Sequence, residues 1–264
     1  MLNSPTAEIF RDVIREKRIE TALFLASDFR TGSTLLGRLL QMQTELTFQR
    51  ESFNTVPTWH VLHDAPLRQA ISAALGPVRS GGMAAKLMWP HRNNLARVLG
   101  HGATDAAAGF CEIFPCVRFV HMARRDKVAQ AVSFHIARHS NVWSSSQVDR
   151  DREAPVPYIF AEIIHYYMHF LMFETAWAEF LTVADPGAPM IYYEDLVEDV
   201  AGHVELCMTH FGLPFDRALI PADLPLTRQA GDLARRFSDR FRHDLCRYSP
   251  VAFLPGRLIG PPTP

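Results

Sequence analysis

TALFLASDFRTGSTLL, residues 21–36, passes from a continuous apolar run, through a short polar turn with one glycine, into leucines at helical spacing. The run over 21–26 has the length and composition of a buried strand. Leu35, Leu36, Leu39, Leu40 and Met42 follow a helical period. The segment therefore reads strand, loop, helix, with the polar loop 27–34 at the carboxyl end of the strand. The same grammar recurs along the chain. A strand over 83–89 is stopped by Pro90. A strand over 117–123 leads to a helix over 127–139. A strand over 190–193 leads to a helix over 196–211, ended by Gly212 and Pro214. Alternating strands and helices predict an α/β fold with a central, largely parallel sheet flanked by helices.

Outward from these elements the chain is less regular. Ser4 and Pro5 set the N-cap and first position of an opening helix within residues 1–20. Residues 44–66 and 140–157 lack a clear period. A long helix over 158–181 is rich in aromatics, including Tyr166, Tyr167, Phe170 and Phe173 at helical spacing. A last, basic helix spans 228–245, before a Pro-rich tail over 247–264. With no repeat or linker in 264 residues, one domain over 1–264 is expected.

Lys plus Arg number 27 against 28 Asp plus Glu, a formal net charge of −1. A general nucleic-acid binder needs a basic field that this chain lacks, so any anion site must be local. The four cysteines show no CxxC spacing, which predicts reduced thiols in a cytoplasmic protein. No leader-like apolar segment or membrane span is expected.

The loop 27–34 has the chemistry of an anion cradle. The first N–H groups of the following helix have no partners within it, and the helix dipole favours negative charge there. Gly32 permits close backbone approach. Ser33 and Thr34 add hydroxyls, and Arg30 adds a planar, permanent cation. A Walker A loop is excluded, because no lysine follows Gly32 and no first glycine precedes it at the required distance. A second strand end repeats the theme in VHMARRDKVAQAVS, residues 120–133: Arg124 and Arg125 close the strand, and Ser133 lies in the next helix. Two such ends suggest a ligand with two phosphate-like groups.

Together these segments resemble the two donor-binding motifs of sulfotransferases, in particular the bacterial trehalose 2-sulfotransferase / NodH-like family. Lys86-Leu87-Met88-Trp89, Asn141-Val142-Trp143, Tyr193-Glu194-Asp195-Leu196, Phe211-Gly212-Leu213-Pro214 and Arg228-Gln229 also have counterparts in that family. The resemblance spans about residues 20–245. It implies a P-loop-like, three-layer fold and 3′-phosphoadenosine 5′-phosphosulfate (PAPS) as co-substrate. The reaction implied is in-line transfer of a sulfuryl group to a hydroxyl of a carbohydrate, glycolipid or small metabolite. On this resemblance Arg30, Thr31, Gly32, Ser33 and Thr34 would hold the 5′-phosphosulfate. Arg124 or Arg125, with Ser133, would hold the 3′-phosphate; the Arg-to-Ser spacing of eight matches Arg125. Arg228 would touch the donor from the C-terminal segment.

The family places a carboxylate base shortly after the first helix, which here is Glu51. Ser52 stands where the family has an aromatic, and the Gly-x-Pro lead-in is missing, so the acceptor is not specified. His60, His63 and His91 are the alternative bases. Lys86 could reach an anion from the second strand.

No metal is expected. His135 and His139, like His165 and His169, stand four apart, yet Ile136 and Tyr166 occupy the glutamate position of HExxH. No third ligand stands at a suggestive spacing. A homodimer is expected from the family and from the aromatic stripe. The rival readings are a phosphotransferase on a related fold and a non-catalytic nucleotide-binding protein.

Overall fold

The computed structural model describes residues 4–48, 52–102, 106–143, 155–222 and 231–247. The chain divides into two compact units, Met1–Arg125 with Met172–Pro225, and Asp126–Leu171 with Leu226–Pro264. The first unit carries the sheet, and it confirms the α/β expectation. Strands β1 (Thr21–Ser27), β2 (Gly82–Met88), β3 (Val117–Ala123) and β4 (Met190–Tyr192) are all parallel, in the order β2-β1-β3-β4. β1 is central, which is why it reads as unbroken apolar sequence: from Ala22 onward every residue is buried.

Side chains alternate across β1. Ala22, Phe24 and Ala26 enter the main core with α1 (Pro5–Lys17), α3 (Asp64–Leu75), α4 (Trp89–Val98) and α5 (Ala106–Ile113). Phe24 lies 5.3 Å from the rings of both Phe114 and Phe119. Leu25 faces the other way, toward α2 (Ser33–Gln43). Below β3 a buried carboxylate closes the packing. Asp185 accepts from the Phe119 N–H at 2.7 Å and pairs with His210 Nε2 at 2.8 Å.

Several expectations change. Pro90 stops β2 and also starts α4, where a missing N–H costs nothing. The helix expected over 196–211 is two helices, α8 (Tyr193–Glu198) and α9 (Val200–His210). The break is Asp199, whose side chain caps α9 by accepting from Gly202 N at 2.9 Å. Gly212, at φ +68°, ends α9 as predicted. α3 and α5 were not legible as helices. Ser4 is the N-cap residue of α1, but its hydroxyl donates to Val98 O at 3.1 Å instead of capping.

The second unit contains α6 (Lys127–Ser140), the first part of α7 (Phe160–Ala184) and α10 (Asp232–Arg247). Asp126 caps α6 by accepting from Ala129 N at 2.9 Å. The aromatic stripe of α7 is largely packed inside this unit. Phe170 is buried, Tyr166 sits edge-on to Phe134 at 4.9 Å, and Tyr167 lies 5.9 Å from Phe241. No described helix is long and apolar enough to cross a membrane.

Candidate active site

The sheet order fixes where a ligand can bind. From β1 the chain moves to β2 on one side, then to β3 on the other, so β1 and β3 form a topological switch point. Their carboxyl ends are direct neighbours, with Ser27 in register with Met122. The two cationic loops, remote in sequence, thus meet.

The first loop is held from below. Trp177 Nε1 donates to Ser27 O at 3.3 Å, and Thr31 Oγ1 donates to Asp28 O at 3.0 Å. The Thr31 hydroxyl therefore shapes the loop. Arg30 adopts a left-handed backbone, φ +63°, and Gly32 follows at φ +88° as the N-cap of α2. Gly32 has no side chain to cap the helix, so the first-turn N–H groups face the space beyond its end. That glycine is also required by space. A Cβ on it would stand 2.5 Å from Tyr193 Cδ2.

The second loop supplies Arg124. Its Nη1 donates to Arg30 O at 3.4 Å, and its guanidinium lies 5.5 Å from the Tyr193 ring centre. Two arginines thus converge on one helix end. Burial, and then the nearby Arg124 charge, lower the Arg30 pKa from its ordinary value. Arg125 points elsewhere. It makes a two-pronged ion pair with Asp195 and stacks over Tyr192 at 4.2 Å. That pair raises the Arg125 pKa and lowers that of Asp195.

Beside α2 opens a cavity of about 450 Å³, lined by Ser33, Thr34, Arg38, Gln41, Phe48 and Lys86 among others. Lys86, buried on β2, reaches it from the strand opposite Leu25. Arg38 and Gln41 were missed in sequence, although their spacing from Thr34 on one helix face was visible. Tyr193 was also missed as a wall of the loop.

The candidate bases separate. His60 and His63 are exposed, whereas His91 is buried with its ring 6.4 Å from Phe29 of the first loop. Ser133 lies on α6, partly buried, in the second unit. Glu51 and Arg228 lie outside the described residues.

The sequence model of the Stf0 sulphotransferase family matches residues 22–244. The chain belongs to the Stf0 sulphotransferase family. As a Stf0 protein it is an enzyme, a PAPS-dependent sulfotransferase, and the match includes both cationic loops. Among solved structures, the chain is similar to a sulfotransferase from Alicyclobacillus acidocaldarius. The two share 16% identity at a TM-score of 0.49, with 89% of this chain and 95% of that one covered. It is also similar to a retinol dehydratase solved with retinol and PAP. There the identity is 16% and the TM-score 0.39, covering 90% of this chain and 69% of that one. No curated protein matches the Stf0 chain.

Proposed function

We propose that this Stf0 enzyme binds PAPS with its phosphosulfate end at the Arg30–Thr34 loop, and sulfates a hydroxyl of a carbohydrate, glycolipid or small metabolite. One observation carries the reading: Arg30 and Arg124 converge on the Gly32-led end of α2, at the switch point of the sheet. The acceptor oxygen attacks sulfur as the bond from sulfur to the phosphate oxygen breaks. The products are a sulfate ester, adenosine 3′,5′-bisphosphate and a proton. Charge growing on the leaving phosphate is met by Arg30, the α2 N–H groups, and the Ser33 and Thr34 hydroxyls. Glu51 takes the proton. His91 is the alternative base, because it is the histidine among the three that lies beside the loop.

For the 3′-phosphate the reading selects Arg124. Arg125 is turned toward Asp195, whereas Arg124, with Glu194 3.9 Å from its Nε, reaches the Arg30 carbonyl. The cavity beside Thr34 suits the acceptor, since Arg38, Gln41 and Lys86 offer hydrogen bonds to hydroxyls between apolar walls. The family match runs through residues of both units, which supports one catalytic domain over 1–264. No step of the transfer calls for a metal. Free thiols at Cys111, Cys116, Cys207 and Cys246 support a cytoplasmic enzyme. A homodimer is supported by exposed Met168, Leu171 and Met172 on α7; a monomer mass in light scattering would refute it.

The test is a thermal-shift titration with adenosine 3′,5′-bisphosphate beside ATP with Mg²⁺. Bisphosphate at about 100 times Kd should stabilise by roughly 2.7 kcal/mol. Arg30→Ala and Arg124→Ala should abolish the shift, and Arg125→Ala should keep it. A shift with ATP and Mg²⁺ alone would favour a phosphotransferase. If Glu51→Gln binds bisphosphate and still sulfates acceptor at the wild-type rate, the carboxylate base is wrong.

A further inference from the structure

Two histidines of the second unit meet a third group that no spacing rule pointed to. His135 and His139 lie on one face of α6, with ring centres 4.5 Å apart. Glu162, from the first turn of α7, closes the cluster. Its Oε2 stands 3.1 Å from His135 Nδ1 and 2.8 Å from His139 Nε2. One ligand atom from each residue lies within 4.8 Å of the other two.

The hydrogen-bond chemistry of His135 gives the cluster a direction. Its Nε2 lies 2.7 Å from Pro157 O. A carbonyl only accepts, so Nε2 carries a proton and donates. In the neutral ring Nδ1 is then a bare lone pair. That atom is fully buried and makes no hydrogen bond, although a carboxylate oxygen, another acceptor, stands 3.1 Å away. Two acceptors this close need a cation between them. A metal ion meets both lone pairs at once. The Pro157 carbonyl then plays the outer partner that orients a metal-binding imidazole.

We propose that His135, His139 and Glu162 bind one divalent transition-metal ion of the zinc type, joining α6 to α7. The donor set is two imidazole nitrogens and one carboxylate, which suits Zn²⁺. Four-coordinate zinc holds its ligands at about 2.0–2.2 Å, hence about 3.3–3.5 Å from one another. To reach that spacing the carboxylate oxygen withdraws by about half an ångström, and the two imidazole nitrogens start within 4.8 Å of each other. His135 is buried, His139 exposed and Glu162 in between, so the fourth position opens to solvent and takes water. The proposal does not depend on the sulfotransferase reading.

The experiment uses the untagged full-length chain, stripped with chelator and titrated with Co²⁺, followed by its visible ligand-field bands and then displaced with Zn²⁺. The expected result is one ion per chain at micromolar metal, with bands of tetrahedral intensity that Zn²⁺ abolishes. Glu162→Gln and His139→Asn, both partly accessible and of conserved shape, should each weaken Co²⁺ affinity at least tenfold. Their circular dichroism should stay that of the metal-free parent. His165→Asn tests the other histidine pair, whose rings are 4.0 Å apart on α7; it should leave affinity unchanged. Absence of bands at micromolar Co²⁺ would overturn the proposal, as would undiminished binding in both Glu162→Gln and His139→Asn, or loss in His165→Asn.

Discussion

Replacing Gly32 by alanine tests whether the loop is as tightly built as it looks. Two costs act on the same residue. At φ +88° an alanine pays roughly 1–2 kcal/mol for the left-handed backbone. Its Cβ would also stand 2.5 Å from Tyr193 Cδ2 and 3.1 Å from Met122 Cε. The methionine end can yield, but the tyrosine ring begins α8 and must move with it. Overpacking of this kind adds about 1–3 kcal/mol. Gly32→Ala should therefore lose roughly 2–5 kcal/mol, or about 5–15 °C in Tm for a chain of this size. Gly187 is the control, because it has φ +95° and a Cβ added there would meet nothing within 4 Å. Gly187→Ala should lose the backbone cost alone, about 1–2 kcal/mol. Urea unfolding of Gly32→Ala, Tyr193→Ala and the double variant completes a cycle. The pair should be less destabilised than the sum by about 1 kcal/mol or more. If Gly32→Ala loses no more than Gly187→Ala, or the cycle shows no coupling, the close approach of Tyr193 to the loop is wrong.

Three further outcomes follow from the packing. Asp126→Ala removes the α6 cap and an ion pair to Arg242 at 2.9 Å; it should cost about 1 kcal/mol in denaturant unfolding, mostly from the cap. Asp185→Ala leaves the Phe119 N–H and His210 without their acceptor, and should cost roughly 2–4 kcal/mol, while Asp185→Asn keeps an oxygen there and should cost less. Iodoacetamide with mass spectrometry should label exposed Cys246 in the native protein. Cys111 should react more slowly than its exposure suggests, because partial burial and Asp185 raise its pKa. Cys207, buried and pushed up to about 12, should react only after unfolding. Because a thiolate is the reactive form, raising pH should speed Cys111 before it affects Cys207.

The strands were legible because each is an apolar run fenced by breakers, and burial on both faces leaves no polar alternation to confuse the period. β3 matches its sequence reading residue for residue, at Val117–Ala123. α8 and α9 merged in the sequence because helical apolar spacing continues through Asp199; only its capping bond shows the break. The arginines of the site were legible as residue types at strand ends. The partners of their side chains were not, since Asp195, far along the chain, pairs with Arg125 while Arg124 reaches the Arg30 carbonyl. Glu162 was invisible for the same reason: its partners sit on another helix, and pairing across helices leaves no local pattern.

The direct pairing of β1 with β3 has a consequence for how the enzyme comes into being. β1 and the loop carrying Arg30 leave the ribosome early, but the strand they must lie beside begins only at Val117. Parallel pairing across so long a stretch of chain is slow to form. Until it forms, the central strand offers bare N–H and C=O groups on one side, an open template for another chain. A nascent or truncated molecule ending before β3 thus carries one of the two cationic loops and an aggregation-prone edge together. A ligand that touches both Arg30 and Arg124 can recognise only chains that have completed this pairing, so its presence during refolding would favour the recovery of finished molecules over those caught with the edge exposed.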